Sequence, residues 1–156
     1  MEETTDFCIW IDNDGCPQKV RDIVFKASLT RSIPVKIVAN RYMHPPHALA
    51  EMIVVSGAFD AADDEIVDRV QSDDLVITGD IPLADRIVSK SAIALSPYGE
   101  IFTAESIKDK LAMRNLHQEL RSAGMIQGGR GSLNQQDIQK FANAFDRIIT
   151  KQMKTS

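Results

Sequence analysis

The sequence predicts an α/β fold on a mainly parallel sheet of about five strands, with helices at the C-terminal end. Three observations predict it. Apolar runs recur at residues 7–11, 33–39, 52–55, 75–78 and 92–95. Stretches with helical spacing separate most of them, and that alternation favours parallel strands joined by right-handed crossovers. After residue 100 the strand-like runs stop and two longer helical patterns follow.

Taken in order, residues 7–11 are a wholly apolar strand. Pro17 suits the first position of a helix, and Val20, Ile23, Val24 and Ala27 at i, i+3, i+4 and i+7 predict a helix over 17–29. Residues 33–39 form the second strand, with Pro34 near its start, where a missing N–H does least harm. Consecutive prolines, Pro45 and Pro46, fix a loop over 40–46. A short helical piece over 46–50 leads to the third strand, 52–55. That connection is mostly loop, so this strand is the possible exception to the parallel arrangement.

Ile66, Val67 and Val70 form the stripe of a helix over 62–71. The strand at 75–78 ends on Gly79-Asp80, and Pro82 opens a helix over 82–90. Residues 92–95 close the series. Residues 103–123 then read as a helix stopped by Gly124. Residues 135 to about 151 read as another, with Ile138, Phe141, Ala142, Phe145, Ile148 and Ile149 on one face. Ser132 and Gln135 have the spacing of a capping box, and residues 127–131 read as a mobile loop. Asp73 and Asp74 precede a strand and read as turn residues at the edge opposite the strand ends.

A chain of 156 residues suits one domain, here an α/β core over about 7–99 with a helical extension over 100–156 packed on it. No apolar run reaches the roughly 20 residues that span a bilayer. The acidic start, Met1-Glu2-Glu3-Thr4-Thr5-Asp6, lacks the basic opening of a secretory signal, so a cytoplasmic address and no membrane are expected. Cys8 and Cys16 make no disulfide framework; both read as packing residues. Residues 1–99 hold 9 Lys and Arg against 16 Asp and Glu, net −7, whereas residues 100–156 hold 9 against 6, net +3. The first part suits a cation, the second weakly suits phosphate.

The most informative segment is Ile9-Trp10-Ile11-Asp12-Asn13-Asp14-Gly15-Cys16-Pro17. It is a buried strand that ends on two carboxylates and feeds a helix start, the place where open α/β sheets bind ligands. Carboxylates crowded there repel unless a cation or proton lies between them. Asp80 ends the fourth run in the same way, Asp63 and Asp64 open the helix after the third, and Asp85 lies within the next helix. In a parallel sheet these acids meet at one edge. Hard cations, Mg²⁺ or Mn²⁺, prefer such oxygen donors, and the Cys/His clusters of a zinc site are missing. Asn40, Arg41, Thr78 and Lys19 are candidates for substrate contact, Thr78 also for orienting Asp80, and Arg130 for phosphate. His44 and His47 flank the prolines without the helical geometry of a metal pair.

The motifs Asp12-Asn13-Asp14-Gly15-Cys16-Pro17, Ile33-Pro34-Val35 with Val38-Ala39-Asn40, Gly57-Ala58-Phe59-Asp60-Ala61-Ala62-Asp63-Asp64, and Thr78-Gly79-Asp80-Ile81-Pro82-Leu83-Ala84 occur in family order. So do Leu111-Ala112-Met113-Arg114 and Phe141-Ala142-Asn143-Ala144. In them, over about residues 7–151, the chain resembles the bacterial YaiI/YqxD family of uncharacterised proteins, which is grouped with PIN- and NYN-like domains. The resemblance implies a Rossmann-like three-layer sandwich and a metal-dependent ribonuclease. It implies that Asp12, Asp63 or Asp64, Asp80 and Asp85 hold Mg²⁺ or Mn²⁺, with Asp14 a further candidate. The family more often has Ala where this chain has Asn13, Gly15 and Gly79, and PIN nucleases commonly use Glu for the middle acid.

The leading expectation is therefore phosphodiester hydrolysis on RNA or another nucleic acid, with Asp12, Asp14 and Asp80 catalytic and Asp14 or Asp85 orienting water. Two alternatives stand beside it. One is a nucleic-acid- or protein-binding module without catalysis. The other is a phosphatase resembling the haloacid dehalogenases, with Asp12 as nucleophile, Asp14 as acid/base and Asp80 or Asp85 on Mg²⁺.

Overall fold

A computed structural model describes residues 6–58, 60–124 and 133–155. Among them the order is β1 (Ile9–Asp12), a single 3₁₀ turn (Asn13–Gly15), α1 (Gln18–Arg31), β2 (Val35–Ala39), β3 (Ala50–Val54), α2 (Ala61–Arg69) and β4 (Leu75–Ile77). Then follow α3 (Ile81–Ser89), β5 (Ile93–Leu95), β6 (Ile101–Phe102), α4 (Ile107–Ser122) and α5 (Gln135–Thr155). The six strands form one sheet in the order β3-β2-β1-β4-β5-β6. The first five are parallel, β3 included, and β6 runs antiparallel to β5. The molecule is thus α/β with a mostly parallel sheet, consistent with a Rossmann-like sandwich.

The chain winds outward from β1 to β3, then returns to pair β4 on the other side of β1. This reversal splays the loops after β1 and β4 in opposite directions and opens a crevice at their C-terminal ends. Helices cover both faces. Ile9, Ile11, Ile37 and Ile77 face Val20 and Val24 of α1 and Phe141 and Phe145 of α5. Trp10, Val76 and Ala94 face Ile66 of α2, Leu83 and Ile87 of α3 and Ile107 of α4. The period-2 alternation of β1 supplies both cores from one strand. Each large side chain buried this way contributes about 1.5–3 kcal/mol.

Three expectations need correction. The sixth strand is absent from the sequence reading, because two residues are too few to show a period; Ile101 is exposed and Phe102 buried. The helix expected from residue 103 starts at Ile107, since Thr103 and Ser106 exchange hydroxyl-to-backbone bonds at 3.0 and 3.1 Å and hold a turn. Residues 46–50 are no helix. The Leu49 N–H donates to His47 Nδ1 at 3.1 Å, which leaves His47 Nε2–H to donate to the Phe25 carbonyl at 3.1 Å. His47 is a structural clamp, and β3 begins two residues earlier than expected.

Ser132, Arg130 and the loop over 127–131 lie outside the described residues. Helix α5 starts on a reciprocal cap of its own: Asn134 Oδ1 accepts from the Asp137 N–H at 2.8 Å, and Asp137 Oδ2 accepts from the Asn134 N–H at 3.1 Å. Asp74 lies at the edge opposite the crevice, as expected, but is more than a turn residue. Buried at 3% exposure, it accepts from the Cys8 N–H, the Trp10 indole N–H and the Gln71 N–H at 2.9–3.0 Å.

Candidate functional site

The crevice at the ends of β1 and β4 contains a cleft of ≈ 400 Å³. Five carboxylates line it, those of Asp12, Asp14, Asp60, Asp63 and Asp80, joined by the Asn40 amide. Asp12 is the last residue of β1 and only 6% exposed. Its Oδ2 accepts from the Thr78 hydroxyl at 2.9 Å, and the Thr78 oxygen in turn accepts from the Asp80 N–H at 3.0 Å. Thr78, fully buried at the end of β4, therefore ties the two strand ends together. Asp80 Oδ1 accepts from the Leu83 N–H at 3.1 Å and caps α3, with Pro82 in the first turn where no N–H is needed.

The remaining acids reach the cleft by different routes. Asp14 is exposed in the 3₁₀ turn after β1. The Arg21 guanidinium donates to Asn13 Oδ1 at 2.5 Å and anchors that turn to α1. Asp60 adopts a left-handed conformation (φ 64) just before α2 and enters the cleft wall, as does Ser56; neither stands out in the sequence as a site residue. Asp63 and Asp64 part company. Asp63 lines the cleft, whereas Asp64 turns outward and pairs with Arg86 at 2.9 Å.

Asp85, Arg41 and Lys19 do not line the cleft. Asp85 is half-buried in α3, and Arg41 and Lys19 are exposed. Cys16 packs into the core beside α1, and burial pushes its thiol up to about 12, as burial does for Cys8. Neither thiol is poised as a nucleophile.

The electrostatics of the cleft are those of crowded anions. Burial pushes the Asp12 carboxyl above its ordinary value; the Thr78 hydrogen bond opposes the shift, and the charges of Asp80 and Asp14 add to it. Asp63 is pushed up to about 6 by burial, then by Asp80, Asp12 and Asp60, with Arg86 opposing. Such a donor set, all oxygen and short of positive charge, fits a hard divalent cation in kind. Among the described residues no three His, Cys, Asp or Glu side chains converge as a ready-made metal cage. The fit is therefore to a cation that keeps most of its water and binds through one or two carboxylates, as Mg²⁺ usually does.

Comparison with known proteins places these residues in a family context. Residues 10–151 match the model of a family described as "Uncharacterized BCR, YaiI/YqxD family". A UPF0178 protein of Colwellia psychrerythraea is 49% identical over 148 residues, covering 94% of this chain and 98% of its own length. UPF0178 proteins of Maridesulfovibrio salexigens and Geobacter metallireducens are 46% and 48% identical, covering 93% and 92% of this chain and 97% and 93% of their own. No solved structure matches the chain.

Proposed function

The chain belongs to the YaiI/YqxD family, and from the acidic cleft at the sheet's switch point we propose that it is a divalent-metal-dependent nuclease with RNA as its substrate. The observation that carries this reading is that Asp12, Asp14, Asp63 and Asp80, from three separate segments of the chain, all line one cleft. It accords with a PIN-like version of the Rossmann-like fold. Crowded carboxylates at a strand-end crevice are costly in isolation and useful when a cation neutralises them.

One or two of Asp12, Asp63 and Asp80 would hold Mg²⁺ or Mn²⁺ directly and the rest through its water, and the ion when bound would supply phosphoryl polarisation and an acidified water. The chain's own residues do the rest. Thr78 fixes Asp12 Oδ2 and the Asp80 backbone together, so the two strand ends present their carboxylates at a set separation. Asp14, exposed at the rim, takes the proton of the attacking water. The Asn40 amide, at the end of β2, donates to a phosphate oxygen without adding charge.

The test is cleavage of labelled single-stranded RNA by the pure protein with Mn²⁺. Asp12→Asn and Asp80→Asn should each reduce the rate at least about a hundredfold, a typical cost of losing a positioned catalytic group. Asn at position 80 still caps α3, so loss there is not a folding effect. Undiminished cleavage in both variants would place the chemistry elsewhere.

A second reading, a binding module without catalysis, is favoured by one observation: although several acids line the cleft, no three ligating side chains among the described residues are grouped closely enough to hold a metal ion. Calorimetry separates the two. Heat of binding at millimolar Mg²⁺ or Mn²⁺ supports the nuclease, and its absence supports the module.

A further inference from the structure

A second concavity of ≈ 460 Å³ lies between α4 and the turn joining β5 to β6. Gly79 forms part of its wall, and the next residue, Asp80, lines the acidic cleft, so the two hollows adjoin along the chain. Its volume suits a small organic group. Ile81, Phe102 and Met113 give it apolar surface, and Ser96, Asp109 and Arg114 add hydrogen-bonding groups of both kinds.

The charges here decide what kind of group fits. Lys110 pairs with Glu100 at 2.6 Å, and its ammonium lies 5.8 Å from the centre of the Phe102 ring, so that cation is neutralised within the wall. Arg114, bonded to the neutral amides of Asn115 and Gln118 at 3.2 and 3.3 Å, faces the same groove as Asp109. The lining is thus close to neutral, which gives a phosphate chain little to bind. A flat heterocycle with both donors and acceptors on its edge matches an apolar slot rimmed by an arginine and a carboxylate. Helix α4 leaves that slot open: Ile107 is its one buried residue, and Met113 is 51% exposed.

Resting on the nuclease reading, we propose that this groove seats an unpaired nucleobase of a single-stranded substrate. The base flanks the bond held over the acidic cleft. It packs against Met113 and Ile81 while Arg114 and Asp109 bond its edge. A duplex cannot enter, because its base faces are stacked and its edges paired. The groove then selects single strands and imposes a base preference next to the cleavage point.

The test titrates metal-free protein with each of the four ribonucleoside 5′-monophosphates at millimolar concentration, followed by NMR. Expected are shifts at His117 and the α4 amides, larger for some bases than others, abolished in Met113→Asp and kept in Asp12→Asn. In cleavage assays Met113→Asp and Arg114→Ala should raise KM about tenfold with kcat little changed, in line with the loss of one base contact. Shifts confined to the acidic cleft, or none with any monophosphate, would overturn the proposal. So would sedimentation showing that Met113→Asp splits a dimer into monomers, since the face would then be a contact between copies. Shifts at α4 in a protein that cleaves no RNA would keep the base pocket and remove the nuclease reading.

Discussion

At the residue scale, Asp63 shows what crowding in the cleft costs in stability. Its carboxyl, pushed from 3.8 up to about 6, binds its proton more tightly in the folded chain than in the unfolded one. Between those two values the folded state holds more protons, so stability falls as pH rises through that window. The penalty is complete above about 6 and absent below about 3.8. Asp63→Asn removes this half-buried charge, whose effect on stability is reduced by solvent screening. Without metal it should raise Tm at neutral pH by about 2–4 °C, equivalent to about 1 kcal/mol, and flatten the change in Tm between pH 4 and 6 that this group imposes. Differential scanning calorimetry across pH checks this; an unchanged profile would show that Asp63 feels no crowding from Asp80, Asp12 and Asp60.

That Asp12 and Asp80 would lie at one edge was legible in the sequence, because Asp12 ends an apolar strand and Asp80 stands between another and the helix that Pro82 opens. Choosing between Asp63 and Asp64 was harder. Adjacent helical residues point about 100° apart, and the rotation of α2 decides which one faces inward. The signal was present in part: Asp63 lies three residues before Ile66, which is fully buried, whereas Asp64 lies three before the less buried Val67. Asp60 had no such signal, because its position depends on a left-handed turn that composition does not mark.

At the scale of elements, the five parallel strands were readable because each carries an apolar run bounded by turn chemistry, buried throughout in β1 and β4 and only in part in β3. The sixth was not, because two residues show no period, and neither was the junction role of Asp74, whose partners Cys8 and Trp10 lie far away in number. Asp74 joins the start of β4 to β1 and to the end of α2 through three accepted hydrogen bonds. Asp74→Ala strands the buried Trp10 indole N–H and two partly buried backbone donors, those of Cys8 and Gln71. The cost should be about 3 kcal/mol or more, at about 1–3 kcal/mol for each unsatisfied donor that water cannot reach. Urea denaturation followed by Trp10 fluorescence measures it, with the native spectrum shifted as the indole loses its carboxylate partner. A loss below about 1 kcal/mol would mean that water replaces Asp74 freely and that the three elements are held by packing alone.

Across the whole molecule, the C-terminal helix completes a core that the first half begins. Phe141, Phe145 and Ile149 of α5 pack with Ile9, Val20 and Ile37, and Gln152 donates to the Asp73 carbonyl at 2.7 Å. Charge divides the chain differently from packing. Residues 1–99 carry net −7 and surround the cleft, whereas residues 100–156 carry net +3. A strand led into an acidic cleft and a near-neutral groove meets few lysines and arginines, so its affinity should depend more on the divalent cation than on released counterions. With about two phosphate contacts, the single-strand salt slope is about −1.4, and raising salt from about 50 to about 200 mM weakens binding only about sevenfold. Six or more contacts would instead weaken it by about 300-fold or more on the same slope. Fluorescence anisotropy with labelled single-stranded RNA and Asp14→Asn, which removes the proposed proton acceptor and keeps the proposed metal ligands, reads the slope directly at fixed Mn²⁺. A steep slope would move the strand off the acidic edge and onto the basic surface of residues 100–156, and would overturn the proposed nuclease function of the cleft.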